Sequence, residues 1–235
     1  MCRLTRLKNV MSAMKRRDLI HLVNSKGQRY SDVLGINVNS GEDTEVFKWF
    51  LASILFGAPI TESSVIKTYR RFEKHRILTP KKIVEMGWDG LVNILDEGSY
   101  TRYDYKTADK LLLVMGNLGS RYRGSITRLY NEASSPADLE KKLKQLGKGI
   151  GDITTGIFLR ELRGVWSKAD PKPTPLVIEA ANTLGIVRSE TPEGALCELK
   201  RFWKKNAVKG KSFVDLETAL LRCGKELRRK KSTGS

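Results

Sequence analysis

With 235 residues the chain can bury the core of one large domain or of two small ones. Its 43 Lys and Arg against 26 acids give a formal charge of +17 and a pI near 9.9, which excludes the charge balance of an ordinary cytosolic enzyme and points to a polyanionic partner. Three cysteines, Cys2, Cys197 and Cys223, are too few and too scattered for a disulfide framework, a zinc site or an iron–sulfur cluster.

The charge is uneven. Residues 201–235 carry 11 basic and 3 acidic side chains, and residues 1–50 carry 9 and 5, so both chain ends are basic. Solubility alone accounts for one such run as well as polyanion contact does. The start, "MCRLTRLKNVMSAMKRRDLIHLV", has a charge every few residues and no apolar run of signal-peptide length. No segment approaches the ~20 apolar residues of a membrane span, so the chain reads as soluble and intracellular with no membrane partner. The terminal "KKSTGS" is polar and aperiodic and stands outside the fold reasoning.

Helical periodicity recurs along the chain, and strand alternation does not. In "TEVFKWFLASILFGA" the positions Val46, Phe47, Phe50, Leu51, Ile54 and Leu55 follow the spacing of one buried helix face, with Thr44 as N-cap and Gly57 as stop. "TESSVIKTYRRFEKHRI" follows with Thr61 as cap. "TPKKIVEMG" opens on the cap-plus-proline pair Thr79-Pro80 and closes at Gly87. "WDGLVNILDEG", "YKTADKLLLVMGNLGSRY" and "SPADLEKKLKQLG" complete about six short helices between residues 44 and 147, a compact all-α layout. His21 and His75 sit among charges, without the ligand spacing of a metal site.

The stretch "KQLGKGIGDITTGIFLREL" then sets Gly147, Gly149 and Gly151 between two helices, the second beginning near Asp152. Glycine lets a turn take positive φ and lets its amides approach a surface closely. The free N–H groups and dipole of the following helix favour a phosphate there, although a plain αα-turn uses the same residues.

This stretch resembles the helix-hairpin-helix of the endonuclease III-like DNA glycosylases, in the pattern Lys148, Gly149-Ile150-Gly151, Asp152-Ile153, Thr154-Thr155. Upstream, "LASILFGAPITESSVIK" is similar to the family's early buried helix and the loop after it. "TRYDYKTADKLL" is similar to its Tyr-Asn-x-Lys-Ala helix start, through Tyr103, Asp104, Lys106 and Thr107. The resemblance implies an all-α, helix-hairpin-helix glycosylase-like fold of two helical domains with a cleft between them. Residues 41–165 would form a six-helix barrel, and residues 1–40 would join 166–235 in the second domain.

It also implies an activity: turning a damaged base out of duplex DNA and hydrolysing its N-glycosidic bond, as a monomer, in the cytoplasm or nucleoid, or in the nucleus of a eukaryote. Bifunctional members carry a nucleophilic hairpin lysine where this chain has Ile153, so the expected reaction is monofunctional, through water. The family's carboxylate falls on Asp170 when counted forward from the hairpin, and on Thr174 when counted back from the helix that follows. Asp170 is the residue able to stabilise oxocarbenium character, and its loss would leave a DNA-binding protein that does not cut. Ile54 stands where the adenine-removing branch has a Glu, and Cys197 and Cys223 cannot replace the four cysteines of the iron–sulfur branch, so no cofactor is expected.

For DNA contacts the resemblance and the charge point to Gly147, Lys148, Gly149, Gly151, Thr154, Lys168 and Lys172. Pro59 and Ile60 stand where members insert a side chain into the base stack. Tyr103, Ile153 and Trp166 are candidates for the base pocket, and "YTRYDYK" either lines it or anchors a helix start. The remaining tryptophans, including Trp88, read as packing residues. Lys168, two residues before Asp170, is a second amine that could act in place of the missing hairpin lysine.

Overall fold

The computed structural model describes residues 14–233, which form helices and loops with no strand among them. Cys2 and the last two residues of "KKSTGS" lie outside the described residues. In chain order the helices are α1 (Arg16–Lys26), α2 (Tyr30–Val33), α3 (Asp43–Phe56), α4 (Glu62–Lys74), α5 (Pro80–Glu97), α6 (Asp104–Tyr122), α7 (Ile126–Glu132), α8 (Pro136–Lys144), α9 (Asp152–Glu161), α10 (Pro175–Thr183), α11 (Pro192–Asn206) and α12 (Phe213–Thr233), with a 3-10 turn at Val38–Ser40. No helix among the described residues is long and apolar enough to cross a membrane.

The chain divides into two units, one spanning Arg29–Pro171 and the other joining the segments that end at Gln28 and begin at Lys172. The sequence places these breaks at 40/41 and 165/166. Residues 29–40 fall in the larger unit because of Glu161, a fully buried carboxylate at the end of α9 that accepts the backbone N–H of Tyr30 and of Ser31, each at 2.9 Å. Trp166 draws the residues after α9 into the same unit by stacking on Tyr130, with ring centroids 4.3 Å apart.

Within the larger unit α3 is the core. Its apolar positions are those expected, but Trp49, Ala52 and Ser53 are buried as well, so the helix is surrounded rather than one-faced. It starts two residues earlier than expected. Glu42, in extended conformation, holds the N-cap place, and Thr44 lies inside the first turn. The expected caps at Thr61 and Thr79, and Ser135 at the Ser-Pro start of "SPADLEKKLKQLG", each accept a backbone N–H from three residues on. Gly87 breaks α5 with φ 70° and ψ 177°, a conformation that glycine adopts without steric cost, so the two helices expected there remain distinct in backbone geometry. The sequence passes over α7. Its first turn is capped by Ser125 and by Asp43 of α3, whose Oδ1 accepts from Ser125 Oγ at 2.9 Å and from Thr127 N at 2.7 Å.

The smaller unit packs α12 against α1 and α10. The approach is close: a Cβ on Gly224 of α12 would stand 2.3 Å from the carbonyl oxygen of Leu176. Arg222 donates to the carbonyls of Lys26 and Gln28, both at 2.6 Å, and so satisfies the end of α1.

Removing the Glu161 carboxylate leaves two buried N–H groups and the buried Arg160 guanidinium, 3.6 Å from that carboxylate, without their partner. We expect Glu161→Ala to destabilise the larger unit by about 3–5 kcal/mol in chemical denaturation. A loss under ~1 kcal/mol would show that the α2–α9 link is dispensable.

Candidate nucleic-acid interface

The hairpin between α8 and α9 is held by its own backbone and by α6. Asn117 of α6 donates to Leu146 O at 2.8 Å, and Arg121 donates to Gln145 O at 3.1 Å, so side chains of α6 close the last carbonyls of α8. Gly147 packs so near α6 that a Cβ there would lie 2.9 Å from Val114 Cγ2. Ile150 is buried and plugs the turn into the core, and Gly149 has φ 94° in the left-handed region. Gly151 is the extended N-cap of α9 with open space where a Cβ would point.

Beside this hairpin lies a cavity of about 560 Å³. Three segments form it: the loop Gly57–Pro59 after α3, the first three turns of α6, and Lys148 with Gly149. Three lysines line it, Lys106 and Lys110 of α6 and Lys148 of the hairpin. Among the described residues none of the three has a hydrogen-bonded or ion-paired partner. Asp109 is the one acid lining the cavity, and its Oδ1 is occupied by the Trp88 indole N–H at 2.9 Å.

Lys110 is the most enclosed of the three. A Cβ on Gly149 would stand 2.6 Å from its Cε, so the lysine stem crosses the hairpin where the glycine leaves room. Burial holds its ammonium below the ordinary 10.5, because the charged form loses hydration that no neighbouring acid replaces. Such a site has one ready use for its charge, an anionic group entering from solvent.

The structure brings together part of the expected set. Gly147, Lys148, Gly149 and Gly151 share the hairpin, and Pro59 and Tyr103 line the same cavity as Lys148. Ile60 follows in the same loop, and Ile153 stands 65% exposed on the first turn of α9. Four other candidates lie elsewhere. Thr154 is buried under the end of α3, its Oγ1 only 2.3 Å from where a Gly57 Cβ would be, so its hydroxyl does not face a ligand. Trp166 is a core residue, between Tyr130 and Phe158. Lys168 donates to Tyr130 O at 2.8 Å and Ala133 O at 2.6 Å and lies over the Tyr130 ring, so it closes the C-terminus of α7 instead of facing solvent. Lys172 belongs to the smaller unit and pairs with Glu193 on the first turn of α11.

Asp170 is exposed and does not line the cavity. Its carboxylate is ion-paired with Arg163, whose buried guanidinium also donates to Pro171 O. Thr174 holds the N-cap place of α10, before Pro175, without a side-chain cap bond.

Lys110 and Asp109 escaped the sequence reading. Lys106 and Lys110 are one helical turn apart on α6; of the residues between them Thr107 and Ala108 are buried and Asp109 is exposed, so both lysines share the open face. The missing signal was the hairpin glycine on the other wall. Comparison of the chain with protein-family models, with curated protein sequences and with solved structures gives no match.

The depressed Lys110 has a stability consequence with a definite sign. Between its folded value and 10.5 the unfolded chain binds more protons, so stability rises with pH across that window. We expect Lys110→Met to raise the unfolding temperature at neutral pH, with the gap to wild type shrinking as pH climbs toward 10.5. An equal or lower temperature for the variant at neutral pH would contradict the desolvation argument.

Proposed function

We propose that this chain binds duplex DNA through the glycine hairpin and the lysine-lined cavity, and that it is a monofunctional DNA N-glycosylase on a helix-hairpin-helix scaffold. The observation that carries the DNA-binding half is the convergence of Lys106, Lys110 and Lys148, without partners among the described residues, beside Gly149 and Gly151. Phosphate oxygens supply the charge this site lacks, and backbone amides near the glycines add donors that read no sequence. The excision half rests on the sequence resemblance and on Asp170. A carboxylate fixed by Arg163 can stabilise positive charge on a sugar as its base departs. The chain's own groups then have separate tasks: the lysines hold the backbone, and Asp170 favours attack by water at the anomeric carbon. Ile153 offers no nucleophile, and Lys168 is committed to the carbonyls of α7, so neither supports a covalent step.

A second reading is favoured by the same ion pair. Arg163 neutralises Asp170, and the carboxylate does not line the cavity. A protein that holds DNA without cutting would tolerate both features.

Single-turnover assays on duplexes carrying uracil, hypoxanthine, an alkylated purine or an oxidised base separate the two. We expect release of a base by the wild type and its loss in Asp170→Asn, with binding retained. Binding without release by either protein would leave the second reading. For the grip itself, Lys106→Ala, Lys110→Ala and Lys148→Ala should each weaken binding to all duplex sequences alike, and should each reduce the slope of log affinity against log salt by about 0.9. A sequence-selective loss, or an unchanged salt slope, would remove these lysines from the phosphate contact.

A further inference from the structure

The rim of the cavity carries an aromatic pair that neither the core nor the phosphate grip uses. Trp88 is 39% exposed and Tyr105 is 58% exposed, with ring centroids 5.1 Å apart. Both are tied to the cavity wall. Trp88 donates its indole N–H to Asp109 at 2.9 Å, and Asp109 lines the cavity. Tyr105 directly precedes Lys106, and Tyr105, Asp109 and Leu113 follow one another at four-residue steps along α6. Leu113 is itself 47% exposed and also lines the cavity. Among the described residues the large exposed hydrophobic side chains all lie in the larger unit, so this surface is a local feature and not a general one.

An exposed aromatic pair beside three lysines that lack partners suits a ligand with flat apolar faces strung on a negative backbone. Within an intact duplex the base faces are covered by their neighbours. They become available in a gap, an overhang or a frayed end. The Asp109 bond fixes the indole plane in advance, so stacking there costs little side-chain freedom. We propose that Trp88 and Tyr105 form a stacking platform for an unpaired base, so that the protein prefers DNA in which a single-stranded segment adjoins the duplex. This rests on the DNA-binding reading above and adds to it the form of DNA the site selects. A protein partner would need acidic groups to meet the same lysines and would not discriminate between the two DNA probes below.

The test uses the full chain and two probes: a blunt duplex, and the same duplex with a short single-stranded extension. Trp49 and Trp166 are buried and Trp203 is half-buried, so a change in emission on binding reports mainly on Trp88. The extended probe should quench wild-type tryptophan emission and the blunt duplex should not. Tyr105→Leu and Trp88→Leu should each weaken binding of the extended probe about tenfold, leaving the blunt duplex within twofold. Trp88→Phe should keep most of the affinity and lose the quench, since a phenyl ring still stacks. Equal affinity of the wild type for both probes, or equal losses on both in the Leu variants, would overturn the platform while leaving the phosphate grip standing. Failure of the wild type to bind either probe would overturn the platform and the DNA-binding reading together. The quench of the wild type needs no variant, so it decides the matter even if the Leu variants fold poorly.

Discussion

Everything at the candidate interface hangs from α3. A helix buried on all sides cannot shift without opening the core, and two hydrogen bonds tie the walls of the cavity to it. Trp49 donates its indole N–H to Phe158 O at 3.0 Å, which fixes α9 and hence the hairpin. Tyr100, fully buried, donates its hydroxyl to Leu55 O at 2.6 Å, which fixes the segment entering α6. Burial, the larger influence, pushes the Tyr100 phenol well above its ordinary value, so it stays a neutral donor. The third wall is the exit of α3 itself, where Gly57 leaves room for Thr154. One rigid helix therefore sets the distances between Lys148, Lys106 and the loop at Pro59, as a site built on regular elements requires.

The interior and the interface divide their charges differently. Glu161 and Arg160 sit together in the dry core, and the carboxylate is also held by two backbone donors. That arrangement makes its removal costly and links α2 to α9. The cavity lysines have the opposite design. Lys110 loses solvation and gains no counter-charge, which costs folding free energy that only an incoming anion recovers. Neutral pairing is plentiful elsewhere on the surface, for example Lys144 with Asp152 at 2.5 Å and Arg128 with Glu132 at 3.0 Å. What sets the trio apart is convergence: the three lysines line one cavity, and one of them is part-buried there.

Local signals carried the fold further than the site. Caps at Thr61, Thr79 and Ser135, the stop at Gly57 and the break at Gly87 are written in neighbouring residues, so they can be read from the sequence. Helix α7 was not, because Asp43, more than eighty residues away, supplies part of its cap. The unit boundary moved for a similar reason, since nothing near Tyr30 announces that Glu161 will hold it. At the interface the hairpin glycines and Lys148 were singled out by the resemblance and the charge, and Lys148 and Gly149 line the cavity. Lys168 and Trp166 were misread because proximity to Asp170 in sequence was taken for proximity to a ligand, whereas the loop turns both toward α7. Lys110 was invisible for the complementary reason: its partner wall, Gly149, is recognisable only once α6 and the hairpin are packed together.

The break in α5 shows how a single backbone residue serves both levels. In an unbroken helix Trp88 would stand one turn after Val84, which is exposed, and five positions from buried Ile83, off the packing face. Positive φ at Gly87 resets that phase, so the second half of α5 turns Leu91, Val92, Ile94 and Leu95 to the core and leaves Trp88 at the start, half out. Asp109 then captures the indole N–H from α6 and holds the ring beside Tyr105. A large apolar side chain left in water is normally tolerated only singly. Here a glycine that could have been an ordinary helix stop places one next to another, on the rim of the lysine-lined cavity.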